Sequence, residues 1–273
     1  MINWTGVFPA VTTKLKADGS LDLDATRRSV DRLVVNGVSA VIMLPVLTGL
    51  ADLSEDAAAA AARDYRRMGV DGLMVFPSLA YRTDPRETVA WYRAVGAASD
   101  LPIMIYNNPL AYRVDVGPDE LEALADVDTI MCVKEECGDP RRITDIYNRV
   151  GDRYAVFCGI DDLIVESVAV GAVGWVSGMT NVWPAECVAL FEMCRADRYA
   201  EARALYRLLM PAFHLDTSVK LVQYIKFAEH LVYGAPEHVR RPRLELVGEE
   251  RAEVEAVVKA AIVALTQRAA EAA

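Results

Sequence analysis

Among the residues able to do chemistry, Lys134 has the most telling position. It closes the run Thr129-Ile130-Met131-Cys132-Val133, a mostly apolar stretch of the kind that forms a buried parallel strand. Lysine is seldom fully buried, and the whole chain has six. Desolvation at such a strand end favours the neutral, nucleophilic form of the amine. The same position also admits an ordinary rim lysine paired with Glu135 or Glu136. Tyr106 ends a second apolar run, Pro102-Ile103-Met104-Ile105, and leads into Asn107-Asn108-Pro109. A phenol there can relay protons, or can be a core aromatic with a satisfied hydroxyl. Gly159, after Phe157-Cys158, allows close backbone approach at a third strand end. Small residues gather at a fourth, Gly174-Trp175-Val176-Ser177-Gly178-Met179-Thr180-Asn181.

The elements that must carry these residues alternate along the chain. Short apolar runs lie at 6–12, 40–44, 46–50, 72–76, 103–106, 129–134, 155–159 and 174–177, which makes eight strand candidates. Helical periods fall between most of them, at 23–36, 54–68, 85–98, 118–125, 141–149 and 163–170, with a long one at 184–209. Ser54 reads as an N-cap with Glu55 and Asp56 behind it, and Pro85 and Pro118 read as first helical residues. Gly37, Gly69 and Gly171 each end a helix just before a strand, where a left-handed residue is needed. This grammar predicts an α/β fold, a (β/α)8 TIM barrel with a C-terminal helical extension. The expected boundaries are 1–210 for the barrel and 211–273 for the extension, forming one structural unit. At Leu44–Pro45 two apolar runs meet with no helix between them. Parallel neighbours need a crossover of roughly a dozen residues. Either the barrel lacks the helix and loop between strands 2 and 3, or the two runs are one bent strand, or a segment has been lost.

Composition narrows the function. With 29 Lys plus Arg against 39 Asp plus Glu, the net charge is −10, which repels phosphate backbones and anionic membrane surfaces. We therefore expect no nucleic-acid partner. No stretch approaches the roughly 20 apolar residues of a membrane span, and the N-terminus lacks the pattern of a secretory signal. Five scattered cysteines, two of them inside apolar runs, suit a reducing compartment. The three histidines show no metal-ligand spacing with them. The expectation is a cytoplasmic enzyme without metal or other cofactor.

Taken together, the motifs resemble one family. Gly6-Val7-Phe8-Pro9-Ala10-Val11-Thr12-Thr13, Tyr106-Asn107-Asn108-Pro109, Val133-Lys134-Glu135, Gly159-Ile160-Asp161 and Gly174-Trp175-Val176-Ser177-Gly178 occur in the order seen in the dihydrodipicolinate synthase and N-acetylneuraminate lyase family. The resemblance implies a class I Schiff-base enzyme acting on a small oxo or imino acid, assembled as a homotetramer or homodimer. It implies that Lys134 forms the imine and Tyr106 relays protons, while Gly159, Val176 and Ser177 line the pyruvyl part of the substrate. Tyr81 lies near the place of an aromatic lid.

Two departures shape the finer reading. Family members carry a Gly-Thr-Thr-Gly-Glu-like carboxylate-binding loop after the second strand, which is missing here at Leu44–Pro45, unless Leu47-Thr48-Gly49 is its remnant. Dihydrodipicolinate synthases also have an arginine two residues after the Pro of the Tyr-Asn-x-Pro motif, where this chain has Ala111; Arg113, two residues on, is the candidate to bind a different acidic substrate. The segments 110–116, 139–145 and 214–226 resemble the 1-pyrroline-4-hydroxy-2-carboxylate deaminases. The preferred expectation is therefore a dehydrating and deaminating lyase or hydrolase of that branch. A dihydrodipicolinate synthase-like or other pyruvate aldolase is one alternative. A catalytically inactive ligand-binding barrel, lacking the carboxylate loop, is another.

Overall fold

The structure is a computed structural model that describes residues 3–43 and 54–272. The predicted run at 46–50, the Leu44–Pro45 junction and Leu47-Thr48-Gly49 lie outside the described residues. In chain order the first elements are β1 (Gly6–Val11), α1 (Leu23–Val35), β2 (Ile42–Met43), α2 (Glu55–Met68), β3 (Leu73–Val75), α3 (Pro85–Ala98) and β4 (Ile103–Asn107). Two short helices, α4 (Pro109–Tyr112) and α5 (Pro118–Ala123), precede β5 (Ile130–Glu135), α6 (Arg141–Val150), β6 (Ala155–Cys158), α7 (Ile164–Ala169) and β7 (Gly174–Ser177). The C-terminal part is helical: α8 (Pro184–Arg195), α9 (Tyr199–Phe213), α10 (Leu221–Tyr233) and α11 (Gly248–Ala272). Seven of the eight predicted strands are thus present among the described residues, in the predicted alternation with helices. An eight-strand closure is not displayed by them.

Local signals act where the sequence places them. Ser54 accepts from the Ala57 N–H, Asp84 and Glu87 form a capping box before Pro85, and α5 starts at Pro118. Gly37, Gly69 and Gly171 all have positive φ. The single long helix predicted over 184–209 is instead two helices. Asp197 adopts a left-handed φ of 57°, which an Asp tolerates and which no continuing helix allows.

The described chain divides into two compact units. The first draws on the described residues within 3–6, 54–159 and 166–176, the second on those within 7–43, 160–165 and 177–272. In the first, parallel pairing runs β3 to β4 to β5 to β6 to β7. These strands are buried almost throughout, as expected when both faces are covered. Helix α3 is fastened to β3 by its own aromatics: Trp91 Nε1 donates to the Phe76 carbonyl at 2.9 Å and Tyr92 Oη to the Val75 carbonyl at 3.2 Å. Arg153 satisfies three loop carbonyls before and at the start of β5, those of Ala125, Val127 and Ile130.

In the second unit β1 pairs in parallel with β2. Its interior holds an ion cluster that the sequence did not announce. Lys14 and Glu229 are fully buried and paired at 2.5 Å, and Thr12 Oγ1 donates to the other oxygen of Glu229. The Arg32 guanidinium lies 3.5 Å from the same carboxylate and 3.7 Å over the Tyr233 ring. Lys226 Nζ donates to the carbonyls of Thr13 and His238. Burial pulls the Lys14 ammonium below its usual range, against the attraction of Glu229.

Candidate active site

Strand pairing brings the two residues singled out by chemistry side by side. In the β4–β5 ladder Tyr106 is in register with Lys134, so both side chains leave the same end and face of the first unit's sheet. Lys134 Nζ lies 3.9 Å from the centroid of the Tyr106 ring. Its other neighbour is Glu136, whose Oε2 is 2.7 Å away. Lys134 is only 7 % exposed. The rim pairing and the buried strand end, alternatives in the sequence, occur together: the lysine is buried, and it is paired with a carboxylate that is nearly so.

Glu136 is aimed by its backbone. Its N–H continues the ladder past β5 by donating to the Asn107 carbonyl at 2.9 Å. The approach of Lys134 to Oε2 falls outside hydrogen-bond directions, and this buried oxygen accepts no aligned hydrogen bond among the described residues. Burial, and next the charge of Glu136, push the Tyr106 phenol well above its ordinary range. The phenol therefore stays protonated at neutral pH. Asn108 Nδ2 reaches its hydroxyl at 3.4 Å, while Asn108 Oδ1 caps α4 by accepting from the Ala111 N–H. Tyr106 also packs edge-on with Phe76 and Tyr112, at ring separations of 4.8 and 5.7 Å.

Behind this cluster Glu135 is held by Asn107 Nδ2 and by the Cys137 N–H. Burial raises the Glu135 carboxyl, with these hydrogen bonds opposing it. Asn107 Nδ2 also reaches Asp115, which Arg142 grips through two 2.9 Å hydrogen bonds. The Cys137 thiol is pushed up to about 12 by burial and the charge of Glu135, which disqualifies it as a nucleophile at neutral pH.

Gly159 has a definite steric reason. A Cβ there would lie 2.8 Å from Lys134 Cε, 2.9 Å from its Cγ and 3.1 Å from the Glu135 carbonyl oxygen. The glycine makes room for the lysine itself. Gly174 serves packing instead, since a Cβ would fall on the Phe157 ring at 2.2 Å. Val176 ends the first unit's part of β7 and is buried. Ser177 lies in the second unit, where its Oγ accepts from both the N–H and the hydroxyl of Thr180. Tyr81 is 58 % exposed and donates to Glu87 at the start of α3, and Arg113 is exposed with a left-handed φ of 62°. The structure thus gathers Lys134, Tyr106 and Gly159, and gives Tyr81 and Arg113 no contact with them. Among the described residues no group of three or more His, Cys, Asp or Glu is placed to hold a metal. None of their helices is long and apolar enough to cross a membrane.

The role of Glu136 as a neighbour of Lys134 was written in the sequence only as adjacency. Residues i and i+2 of a strand share a face, but β5 ends at Glu135, so geometry beyond the strand decided the contact. Tyr112 had no sequence signal beyond being an aromatic after the Asn-Pro turn.

The chain that sets this lysine beside this tyrosine also matches a known family, the dihydrodipicolinate synthetase family. The model of that family matches residues 43–261, and the chain belongs to it. A 4-hydroxy-tetrahydrodipicolinate synthase from Methanothrix thermoacetophila is 29% identical over 244 residues, covering 78% of this chain and 83% of the relative. One from Sphingopyxis alaskensis is 28% identical over 293 residues, covering 94% and 99%. That alignment is longer than the 273 residues of this chain, so the relative carries residues inside the matched span that this chain lacks. Among solved structures, a dihydrodipicolinate synthase from Bacillus anthracis superposes with a TM-score of 0.89 at 24% identity, covering 95% of this chain and 99% of that one. A putative dihydrodipicolinate synthetase from Pseudomonas aeruginosa gives 0.85 at 26% identity, covering 94% and 99%. The chain therefore has the fold of these enzymes and is an enzyme of the lyase type. The expected deaminase branch finds no support in these relatives, which favour the synthase-like alternative.

Proposed function

We propose that Lys134 forms an imine with the carbonyl carbon of pyruvate or a pyruvate-like 2-oxo acid, and that the chain is a Schiff-base lyase of the synthase-like kind. The observation that supports this most is the buried Lys134 amine, held at a strand end between a protonated phenol and a carboxylate. In this reading the neutral amine attacks the 2-oxo carbon, and the carbinolamine loses water to give an iminium. The iminium withdraws electrons from the adjacent carbon, whose C–H or C–C bond then breaks to leave an enamine. Tyr106, protonated and next to Nζ, is the donor that returns a proton to substrate. The space kept by Gly159 lets the lysine reach the carbonyl, and Val176 lines the pyruvyl group with its backbone.

A second reading, the 1-pyrroline-4-hydroxy-2-carboxylate deaminase, is favoured by one feature. Ala111 in α4 offers no cation where dihydrodipicolinate synthases have arginine. Here the same lysine would attack the ring C=N carbon, the 4-hydroxyl would leave as water, and two hydrolyses, each taking up a water, would release ammonia and free the lysine. Borohydride reduction in the presence of each ligand, followed by peptide mass analysis, tests both. An adduct on Lys134 with pyruvate, lost in Lys134→Ala, is the expected result. Ammonia release and preferential trapping with the cyclic imine would transfer the assignment to the deaminase. No adduct with either ligand, in folded protein, would favour the inactive barrel.

A further inference from the structure

The proton relay assigned above leaves one step without an agent. Lys134 must lose a proton before its amine can attack, and Tyr106, kept protonated by burial, is not the group to accept it. Glu136 is. Its Oε2 stands 2.7 Å from Nζ, is buried and accepts no aligned hydrogen bond among the described residues, while the carboxylate also meets the Tyr106 phenol. The other acids near this cluster are held away from the amine by different partners, Glu135 by Asn107 and the Cys137 N–H, Asp115 by Arg142 and Asn107.

We propose that Glu136 is the acid–base residue of imine formation at Lys134. The proposal rests on the reading of Lys134 as the imine-forming residue. One proton passes from the ammonium to the Glu136 carboxylate, leaving a neutral amine. The amine nitrogen bonds to the oxo carbon while the C=O π pair moves to oxygen. A second proton passes from nitrogen to that oxygen, giving a neutral carbinolamine. The Glu136 carboxyl then gives its proton to the hydroxyl, the C–O bond breaks, and water leaves as the nitrogen lone pair forms the C=N bond. The products are an iminium, water and a carboxylate, so the ion pair of the resting enzyme is replaced by an iminium–carboxylate pair of the same charge. No redox partner is needed. The pairing that would otherwise hold Lys134 as an inert ammonium thus becomes the means of its activation. Tyr106 is left to act on the substrate carbon.

Rapid-quench borohydride trapping with pyruvate gives the rate of imine formation. The wild type is expected to form the Lys134 adduct, and its absence would overturn both the Schiff-base reading and this one. With the adduct established, Glu136→Gln is expected to form it at least about 100-fold more slowly, the usual worth of a positioned general acid–base group. Trapping at the wild-type rate in folded Glu136→Gln would overturn the role of Glu136 alone. Glu136→Ala removes the buried acceptor altogether and provides a second measurement should the glutamine variant not fold. Formate, acetate and fluoroacetate are expected to restore its trapping rate in an order that follows their acidity. Restoration independent of acidity, or none in folded protein, would show that Glu136 only neutralises the lysine.

Discussion

The fit of Gly159 against Lys134 makes a single methyl group a demanding test of the site. In Gly159→Ala the new Cβ would stand 2.8 Å from Lys134 Cε and 2.9 Å from Cγ. Relaxed carbon–carbon contacts begin near about 3.5 Å, so the overlap is roughly 0.6–0.7 Å at two carbons of one side chain. The third neighbour is backbone: the Glu135 carbonyl, 3.1 Å away, accepts the Gly159 N–H and cannot retreat without breaking that bond. The lysine must therefore swing aside, moving Nζ by on the order of 1 Å. A misplacement of that size costs about 100-fold in rate, or about 2.7 kcal/mol of barrier. Overpacking should lower folding stability by about 1–3 kcal/mol. Borohydride trapping with pyruvate measures the first and urea denaturation the second. An adduct formed at the wild-type rate, in a protein of wild-type stability, would refute the placement of Lys134 against Gly159.

Other variants separate the remaining parts. Tyr106→Phe keeps the ring beneath Nζ and removes the proton, so adduct formation on Lys134 should persist while turnover falls about 100-fold; equal turnover would remove Tyr106 from the chemistry. Lys14→Met strips the buried Glu229 of its closest cation and should cost about 3 kcal/mol or more in urea denaturation. A loss below about 1 kcal/mol would mean that Arg32 and Thr12 satisfy that carboxylate unaided. Burial, and then the charge of Lys14, bring the Lys226 ammonium down to about 8. An unfolded lysine keeps its proton to about pH 10.4, so between these values the unfolded chain binds more protons and stability rises with pH. Measured at pH 7.5 and 9.5, the stability of the wild type should gain on that of Lys226→Met. A pH-independent difference would show that Lys226 titrates as it does in solvent.

Local rules along the chain encode much of this fold. The alternation of apolar runs and helical periods set the order of strands and helices. Ser54, Pro85, Pro118 and the positive-φ glycines set their ends, because capping and backbone conformation depend on a few adjacent residues. Lys134 and Tyr106 were legible as candidates because each closes an apolar run, though an ion-paired rim lysine and a core aromatic explained them equally well. The structure decided what those residues meet. Register across β4 and β5 set Tyr106 beside Lys134, and the chain leaving β5 laid Glu136 against the amine. Gly159 was visible as a glycine, but that its space belongs to the lysine follows from where two strands end. Tyr81 and Arg113, suggested by nearness along the chain to family positions rather than by a match, lie exposed, because loops aim side chains by contacts that spacing does not record. The break at Asp197 turned on one left-handed residue in an otherwise helical period. Farthest from view was the pairing of Lys14 with Glu229, 215 residues apart, since no local rule links two charges that only folding buries together.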